Sequence, residues 1–156
     1  MKNGSLGRIA EFETHFDRHR PEEPSSDASK WKNKVMPGGS AVYDLGAHLL
    51  DQAVHLLGLP KRVTGFIGSS RAVNSSGFED SFTVLLHYAN GTIVTAKATV
   101  ISPEEKQLRF WVRGEKGSFK KVSCQGEELG VGSQFCANFS VISTISIFKK
   151  INSGLV

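Results

Sequence analysis

The amino-acid sequence predicts an α+β fold, an open antiparallel (mixed) β-sheet with one main buried helix packed on one face. A single long apolar stretch, residues 38–60, predicts the helix, and regularly spaced alternating segments after it predict the strands. The length of 156 residues is typical of one domain with a substantial core. Because one helix covers only one side of a sheet, we expect the other sheet face to be exposed and available for oligomerisation.

The predicted helix is delimited at both ends. Gly38 and Gly39 interrupt the chain before it, and Asp44 is expected to be its N-cap or an acid in its first turn. Gly58 and Pro60 end it, as is typical of helix C-termini. Since most of the remaining helix surface is apolar, we expect the helix to be buried.

Four ionisable side chains form a stripe along this helix. At about 100° per residue, four of them fall within about 60° of one another: Asp44, His48, Asp51 and His55. Buried ionisable groups need partners or a cleft, so we interpret the stripe as the floor of a site. The alternative is a row of Asp–His hydrogen bonds that only caps the helix and satisfies the core.

Several segments alternate between apolar and polar residues, as half-buried strands do. The first precedes the helix at residues 7–16, and one of its faces is expected to hold Ala10, Phe12, Thr14 and Phe16. The others follow the helix, at 61–69, 79–88, 92–101, 107–113 and 118–122. Asn90 and Gly91 predict a hairpin turn, because this dipeptide tolerates positive φ.

Two stretches lack this regularity. Residues 17–37 are expected to form a long loop, and long loops in compact domains are usually functional or disordered. A functional loop could bring Arg18 and Trp31 to one cleft; the alternative is a solvated excursion in which Trp31 anchors the packing. Residues 123–156, rich in Ser and Ile, are interpreted as a divergent tail that is non-native or disordered.

Composition argues against several classes of partner. Nineteen basic and fifteen acidic residues are scattered along the chain, so no nucleic-acid partner is expected. No apolar run resembles a signal peptide or reaches the length of a membrane span, so no membrane partner is expected either. Cys124 and Cys136 match neither a disulfide framework nor a metal site, which favours reduced thiols in a cytoplasmic protein without a bound metal.

Several motifs, taken in order, resemble the Gfo/Idh/MocA family of sugar and polyol oxidoreductases, the glucose–fructose oxidoreductase and inositol dehydrogenase type. The resemblance extends from residue 4 to about 121. It is carried by the segments 7–21, 38–53, 57–63 and 113–121, together with Trp31 and the Glu79-Asp80 pair.

The resemblance implies that residues 1–122 are the C-terminal substrate and oligomerisation domain of such an enzyme. The family's N-terminal Rossmann domain, with its Gly-rich loop and Glu-Lys-Pro motif, has no counterpart in the sequence, and the tail 123–156 departs from the family. NAD or NADP is therefore expected in the parent enzyme, and no cofactor is expected on this chain alone.

The resemblance also implies roles for individual residues. His48 would exchange the proton of the substrate hydroxyl during hydride transfer, and Asp44 would orient His48. Substrate-binding candidates are Arg18, Trp31, Tyr43, Asp51 and Gln52, whereas His55 is expected to be structural.

The partners implied are a sugar or polyol substrate and a second copy of the chain, bound through the open sheet face. Outward residues of the sheet, such as Leu85 and Trp111, favour such a contact. Two alternatives stay open: a non-catalytic oligomerisation or interaction module, and a truncated gene product without activity.

Overall fold

The computed structural model of the chain describes residues 5–22, 39–72 and 77–124. Its elements are β1 (Ile9–His15), a π-helical turn (Val42–Gly46), α1 (Ala47–Leu57), β2 (Arg62–Gly68), β3 (Ser81–His87), β4 (Ile93–Ala98), β5 (Lys106–Gly114) and β6 (Ser118–Cys124). The predictions for Trp31, for most of the loop 17–37 and for most of the tail 123–156 lie outside the described residues.

The strands form one six-stranded sheet in the order β2-β3-β4-β1-β5-β6. β1 runs parallel to β4 and antiparallel to β5, and the remaining pairs are antiparallel. The prediction of an open mixed sheet with one helix is thereby confirmed. β1 takes a central position because its side chains Phe12 and Thr14 are almost fully buried, with exposed fractions of 1% and 0%.

The predicted alternation of β1 is wrong at its start. Ala10 is exposed and Ile9 is buried, whereas Phe12 and Thr14 lie on the buried face as predicted. The pairing register with β5 shifts between Ile9 and Glu11, and such a bulge reverses which residues point inward.

The helical segment packs on the sheet with only one of its sides. Leu49, Leu50 and Ala53 are fully buried, whereas His48 and His55 are exposed. The helix is thus buried on the side that faces the sheet, while two residues of its ionisable stripe, His48 and His55, are accessible to solvent. A lone helix on a sheet leaves its far side in water.

The core lies between this helix and the sheet. It is built from apolar side chains of every strand from β1 to β5 and of the helical segment: Ile9, Phe12, Ala41, Val42, Leu49, Leu50, Ala53, Val63, Phe82, Val84, Leu86, Val94, Ala96, Ala98 and Val112. Burial of one leucine or phenylalanine side chain contributes roughly 1.5–3 kcal/mol, so this cluster supplies most of the driving force for folding. No described helix is both long and apolar enough to cross a membrane.

The hairpin between β3 and β4 has the predicted turn. Gly91 has φ 83° and its N–H donates to the carbonyl oxygen of Tyr88 at 3.1 Å. The Asn90 side chain accepts a hydrogen bond from the N–H of Thr92 at 3.1 Å. The turn thus uses a glycine where φ is positive and an asparagine that satisfies the backbone beyond it.

The face of the sheet opposite α1, called the open face below, is polar and charged at its centre. On β1 and β5, Arg113 forms an ion pair with Glu11 and lies 4.4 Å from the ring centroid of Trp111. Toward the other edge, Phe66 and Ile93 are 66% and 42% exposed. The strand registers place these residues on the same face.

Candidate functional site

The helical segment begins with a widened turn that carries Asp44. The N–H of Ala47 donates to the carbonyl oxygen of Val42, five residues back, as in a π-helix. Asp44 lies inside this first turn, while Ala41 is the N-cap, so the N-cap alternative for Asp44 is wrong and the first-turn alternative is confirmed. Single π-turns inside helices are frequent at functional sites.

A glycine lets this turn lie close to the sheet. A Cβ atom added at Gly46 would come within 3.3 Å of the Phe82 ring. That distance is tighter than ordinary van der Waals contact, so a side chain at this position would require the Phe82 ring or the turn to shift by a few tenths of an ångström. At the start of the same turn, the hydroxyl oxygen of Ser40 is buried and has no hydrogen-bond partner among the described residues.

His48 follows Asp44 by one helical turn. Its side chain is exposed, whereas Asp44 and the adjacent Tyr43 lie at the turn itself, Asp44 half-buried and Tyr43 37% exposed. The imidazole is therefore accessible to a ligand approaching the start of the helix. Both Tyr43 and Asp44 have further interactions in the structure.

The remaining members of the predicted stripe differ in environment. Asp51 and Gln52 are half-buried, and His55, one turn after Asp51, is exposed. The carboxamide oxygen of Gln52 accepts a hydrogen bond from the Thr14 hydroxyl at 3.4 Å. Gln52 thus ties the helix to β1, while His48 and His55 both face solvent.

Arg18 lies in the segment that follows β1, within electrostatic range of Asp44 in the π-helical turn. Its guanidinium lies 4.4 Å from the centroid of the Phe16 ring. Burial lowers the pKa of Arg18, the charge of Arg20 lowers it further, and the charge of Asp44 raises it. Because the charge of Asp44 acts on the pKa of Arg18, these two residues, both predicted from the sequence, lie within electrostatic range of each other.

Sequence reasoning missed Arg109, which packs on the same ring as Arg18. The guanidinium of Arg109 also lies 4.4 Å from the Phe16 centroid, and it donates to the carbonyl oxygen of His15 at 2.6 Å. The sequence places Arg109 in a strand far along the chain from Phe16. Only the pairing of β1 with β5 brings the two together, and no local pattern signals that contact.

A second missed feature is a buried ion pair. A carboxylate oxygen of Asp80 lies 2.9 Å from the Arg71 guanidinium, and the two side chains are 2% and 7% exposed. Ser69 and Ser70 also donate to this carboxylate. Burial raises the pKa of Asp80, but the hydrogen bonds from Ser70 and Ser69 and the charge of Arg71 outweigh burial, so the pKa is lowered overall.

This ion pair links the segment that follows β1 to the start of the helical segment. Arg71 donates through Nε to the carbonyl oxygen of Arg20, at 3.1 Å, in the segment that leaves β1. Next to Asp80, the carbonyl oxygen of Glu79 accepts a hydrogen bond from the N–H of Ala41 at 2.9 Å, at the start of the helical segment. The Glu79–Asp80 segment therefore fixes the position of the helix start relative to the Arg18 segment.

The described residues offer little to a metal or a dinucleotide. Within residues 5–22, 39–72 and 77–124, no group of three His, Cys, Asp or Glu side chains is placed to hold a metal ion. No Gly-rich turn connects a described strand directly to a helix, which is the arrangement that binds a dinucleotide pyrophosphate.

Comparison with curated proteins gives the site a context. Residues 1–120 match the family model described as the GFO/IDH/MocA C-terminal domain. The chain is 36% identical over 132 residues to an uncharacterized oxidoreductase of Schizosaccharomyces pombe, C115.03. It is 28% identical over 128 residues to the scyllo-inositol 2-dehydrogenase (NADP(+)) IolW of Bacillus subtilis. Each alignment covers 82% of this chain but 35% and 34% of the relatives, so the chain spans about a third of their length.

Solved structures show the same relationship. A Yersinia pestis protein described as an oxidoreductase is 37% identical, with a TM-score of 0.66 over 79% of this chain and 32% of that one. The WlbA dehydrogenase of Chromobacterium violaceum, solved with NADH and UDP-GlcNAcA, is 21% identical, with a TM-score of 0.61 over 77% of this chain and 34% of that one. At 21% identity, the similarity to the WlbA dehydrogenase shows a shared fold only.

Proposed function

Because the chain belongs to the GFO/IDH/MocA family, as its C-terminal domain, we propose that it binds the substrate of an NAD(P)-dependent oxidoreductase acting on CH–OH groups of sugars or polyols. In this proposal His48 accepts or donates the proton of a substrate hydroxyl. Asp44 orients the substrate and His48, and Arg18, Tyr43, Asp51 and Gln52 contact the remaining hydroxyl groups. Trp31, outside the described residues, is retained as a further candidate.

The observation that carries the proposal is the placement of His48. It is exposed and lies one turn after the half-buried Asp44, at the π-helical start of the helix. An imidazole suits proton exchange near neutral pH, because its ordinary pKa is about 6.5. A carboxylate one turn earlier can accept hydrogen bonds from sugar hydroxyls or from the imidazole.

The cofactor of the relatives does not enter this scheme as a ligand of the described residues. NAD(P), when bound, supplies hydride transfer. We propose that this chain alone binds no dinucleotide and that its own residues act only on the sugar or polyol. Hydride chemistry then depends on a dinucleotide site outside the described residues.

Ligand titration of the ¹⁵N-labelled chain tests the proposal. Neutral sugars, polyols and sugar acids at millimolar concentration should shift the amide signals of residues 41–52 and the imidazole signals of His48. The variant His48→Ala should weaken binding, whereas His55→Ala, at an exposed histidine of the same helix, should leave it unchanged. Loss of binding in both variants, or shifts confined to the open face, would contradict the assignment of His48.

A second candidate function is assembly through the open face. The sheet carries a helix on one side, and Phe66 and Ile93 are exposed on the other. If these side chains pack against a second copy of the chain, each Å² of apolar surface removed from water stabilises the assembly by about 25 cal/mol. We propose a homo-oligomer formed through this face.

Analytical ultracentrifugation tests the assembly with a matched pair of variants. Phe66 and Leu59 are equally exposed, at 66% and 67%, but Leu59 lies after the C-terminus of α1. The variant Phe66→Glu should dissociate the oligomer, and Leu59→Glu should not. A wild-type chain that stays monomeric at all concentrations would rule this candidate out.

A further inference from the structure

Arg18 is held in place by its backbone and by packing on a ring, but within the described part of the chain its guanidinium donates no hydrogen bond. The N–H of Arg18 donates to the carbonyl oxygen of Thr99 at 2.9 Å, and its carbonyl oxygen accepts from the N–H of Ser102 at 3.0 Å. The guanidinium packs on the Phe16 ring at 4.4 Å. Among the described residues, none accepts a hydrogen bond from this guanidinium. Its planar edge is therefore available to a ligand.

The charges around Arg18 favour an anion. Arg109 places a second guanidinium 4.4 Å from the same Phe16 ring, and the charge of Arg20 acts on Arg18 as well. Burial and then the charge of Arg20 lower the pKa of Arg18, which shows that Arg20 repels this guanidinium, while the charge of Asp44 raises the pKa. A negatively charged group next to Arg18 would relieve this repulsion.

The position of this charge relative to Asp44 gives it a role in substrate selection. Asp44 interacts electrostatically with Arg18 and lies one turn before His48. In the proposed site, a substrate bound at Asp44 therefore also lies within the range of the Arg18 charge. Planar guanidinium groups bind carboxylates and phosphates through two parallel hydrogen bonds, which gives both affinity and orientation.

We propose that Arg18 binds an anionic group of the substrate, a carboxylate or a phosphate ester, while Asp44 and His48 contact its hydroxyl groups. The inference rests on the proposed function and narrows its substrate class from sugars or polyols in general to acidic or phosphorylated ones. Arg18 is the residue that determines this specificity.

Titrations of the full chain at constant ionic strength test the inference, with four probes: glucose, glucuronate, glucose 6-phosphate and inorganic phosphate. We expect glucuronate or glucose 6-phosphate to bind at least tenfold more tightly than glucose, and the stronger of the two identifies the anionic group. In Arg18→Gln this advantage over glucose should fall to less than twofold. Arg18→Lys, which keeps the charge but not the planar fork, should retain part of it.

Arg113→Gln is the matched control. Arg113 packs on the Trp111 ring at the same 4.4 Å, but on the open face. The control should bind all four probes as the wild type does. An equal loss in Arg113→Gln would show a general charge effect and overturn the inference.

The remaining outcomes separate the inference from the proposed function. Equal affinities for glucose and the two charged sugars, with shifts at residues 41–52, would overturn the anionic preference and leave the sugar site standing. Binding of inorganic phosphate as tight as that of glucose 6-phosphate would reveal an anion site without sugar recognition, which overturns the inference. Binding of no sugar at all would overturn both.

Discussion

Two arginine–carboxylate pairs on this domain differ in their surroundings. Arg71 and Asp80, at the candidate site, are 7% and 2% exposed, whereas Arg113 and Glu11, on the open face, are 46% and 44% exposed. In the buried pair the carboxylate also accepts hydrogen bonds from two serines. The buried pair joins two chain segments, while water can replace either partner of the exposed pair.

The difference matches the two proposed functions of the domain, ligand binding and assembly. At the site, buried polar contacts fix the helix start and the segment after β1 against each other. On the open face, charges on neighbouring strands meet in a solvated surface that can rearrange against a partner. The proposed ligand site would thus have rigid support, and the proposed assembly surface would be adaptable, in different parts of one sheet.

Removal of one charge from each pair should give the largest contrast. Asp80→Asn leaves Arg71 buried without its counter-ion, and we expect the free energy of unfolding to fall by about 3–5 kcal/mol. Glu11→Gln on the open face should cost at most about 1 kcal/mol, because solvent screens that pair. Chemical denaturation of both variants measures the contrast, and equal losses would refute the distinction.

A double variant sharpens the same comparison. Arg71→Met in the Asp80→Asn background removes the uncompensated buried charge. We expect it to recover part of the lost stability, since an apolar pair of similar volume is often neutral. Additive losses from the two substitutions would show that Arg71 and Asp80 do not interact.

The pH dependence of stability should also separate the pairs. The pKa of Asp80 is lowered in the folded state, so between that pKa and the unfolded value of about 3.9 the unfolded chain binds more protons. The stabilisation is complete above about pH 4 and is lost as the pH falls through the folded pKa. Asp80→Asn should remove this part of the acid dependence, and an unchanged slope would contradict the prediction.

The two tyrosines offer a comparison of smaller effect. The hydroxyl of Tyr88 donates to the carbonyl oxygen of Gly58 at 3.0 Å, and burial raises the pKa of Tyr88 to about 12. Its contribution to stability is therefore constant below about pH 10 and is lost as the pH rises from 10 toward 12. Absorbance titration of Tyr43→Phe, which leaves Tyr88 as the remaining tyrosine, should show a midpoint near 12. A midpoint near 10 would mean that Tyr88 is solvated.

The smallest effect is expected at the proposed proton-exchanging residue. His48 is exposed, so His48→Ala should change the free energy of unfolding by no more than about 0.5 kcal/mol. By contrast, Leu50→Ala, two residues further along the same helix but fully buried, should cost about 2–5 kcal/mol. A loss of several kcal/mol in His48→Ala would restore the alternative in which the stripe serves only the core.

The features predicted correctly from the sequence are those specified by neighbouring residues. The helix ends at Gly58 and the hairpin turns at Asn90 and Gly91, because each signal depends on backbone preferences within a few residues. The alternation of β3 likewise follows from its own side chains, and the buried face holds Phe82 and Leu86 as the period of two predicts.

The features that sequence reasoning missed depend on contacts between distant segments. The approach of Arg109 to Phe16 requires the pairing of β5 with β1, which no local pattern specifies. Asp80 precedes an apolar strand and has the sequence context of an exposed acid, yet Arg71 and two serines bury it.

In the proposed function, Arg18, Asp44 and His48 bind the substrate and not the dinucleotide. One sample of the chain should be titrated in parallel with NADPH, followed by fluorescence, and with sugars and sugar acids, followed by amide chemical shifts. We expect sugar-dependent shifts at residues 41–52 and no binding of NADPH. Micromolar NADPH binding by the chain alone, with no response to any sugar, would contradict this expectation.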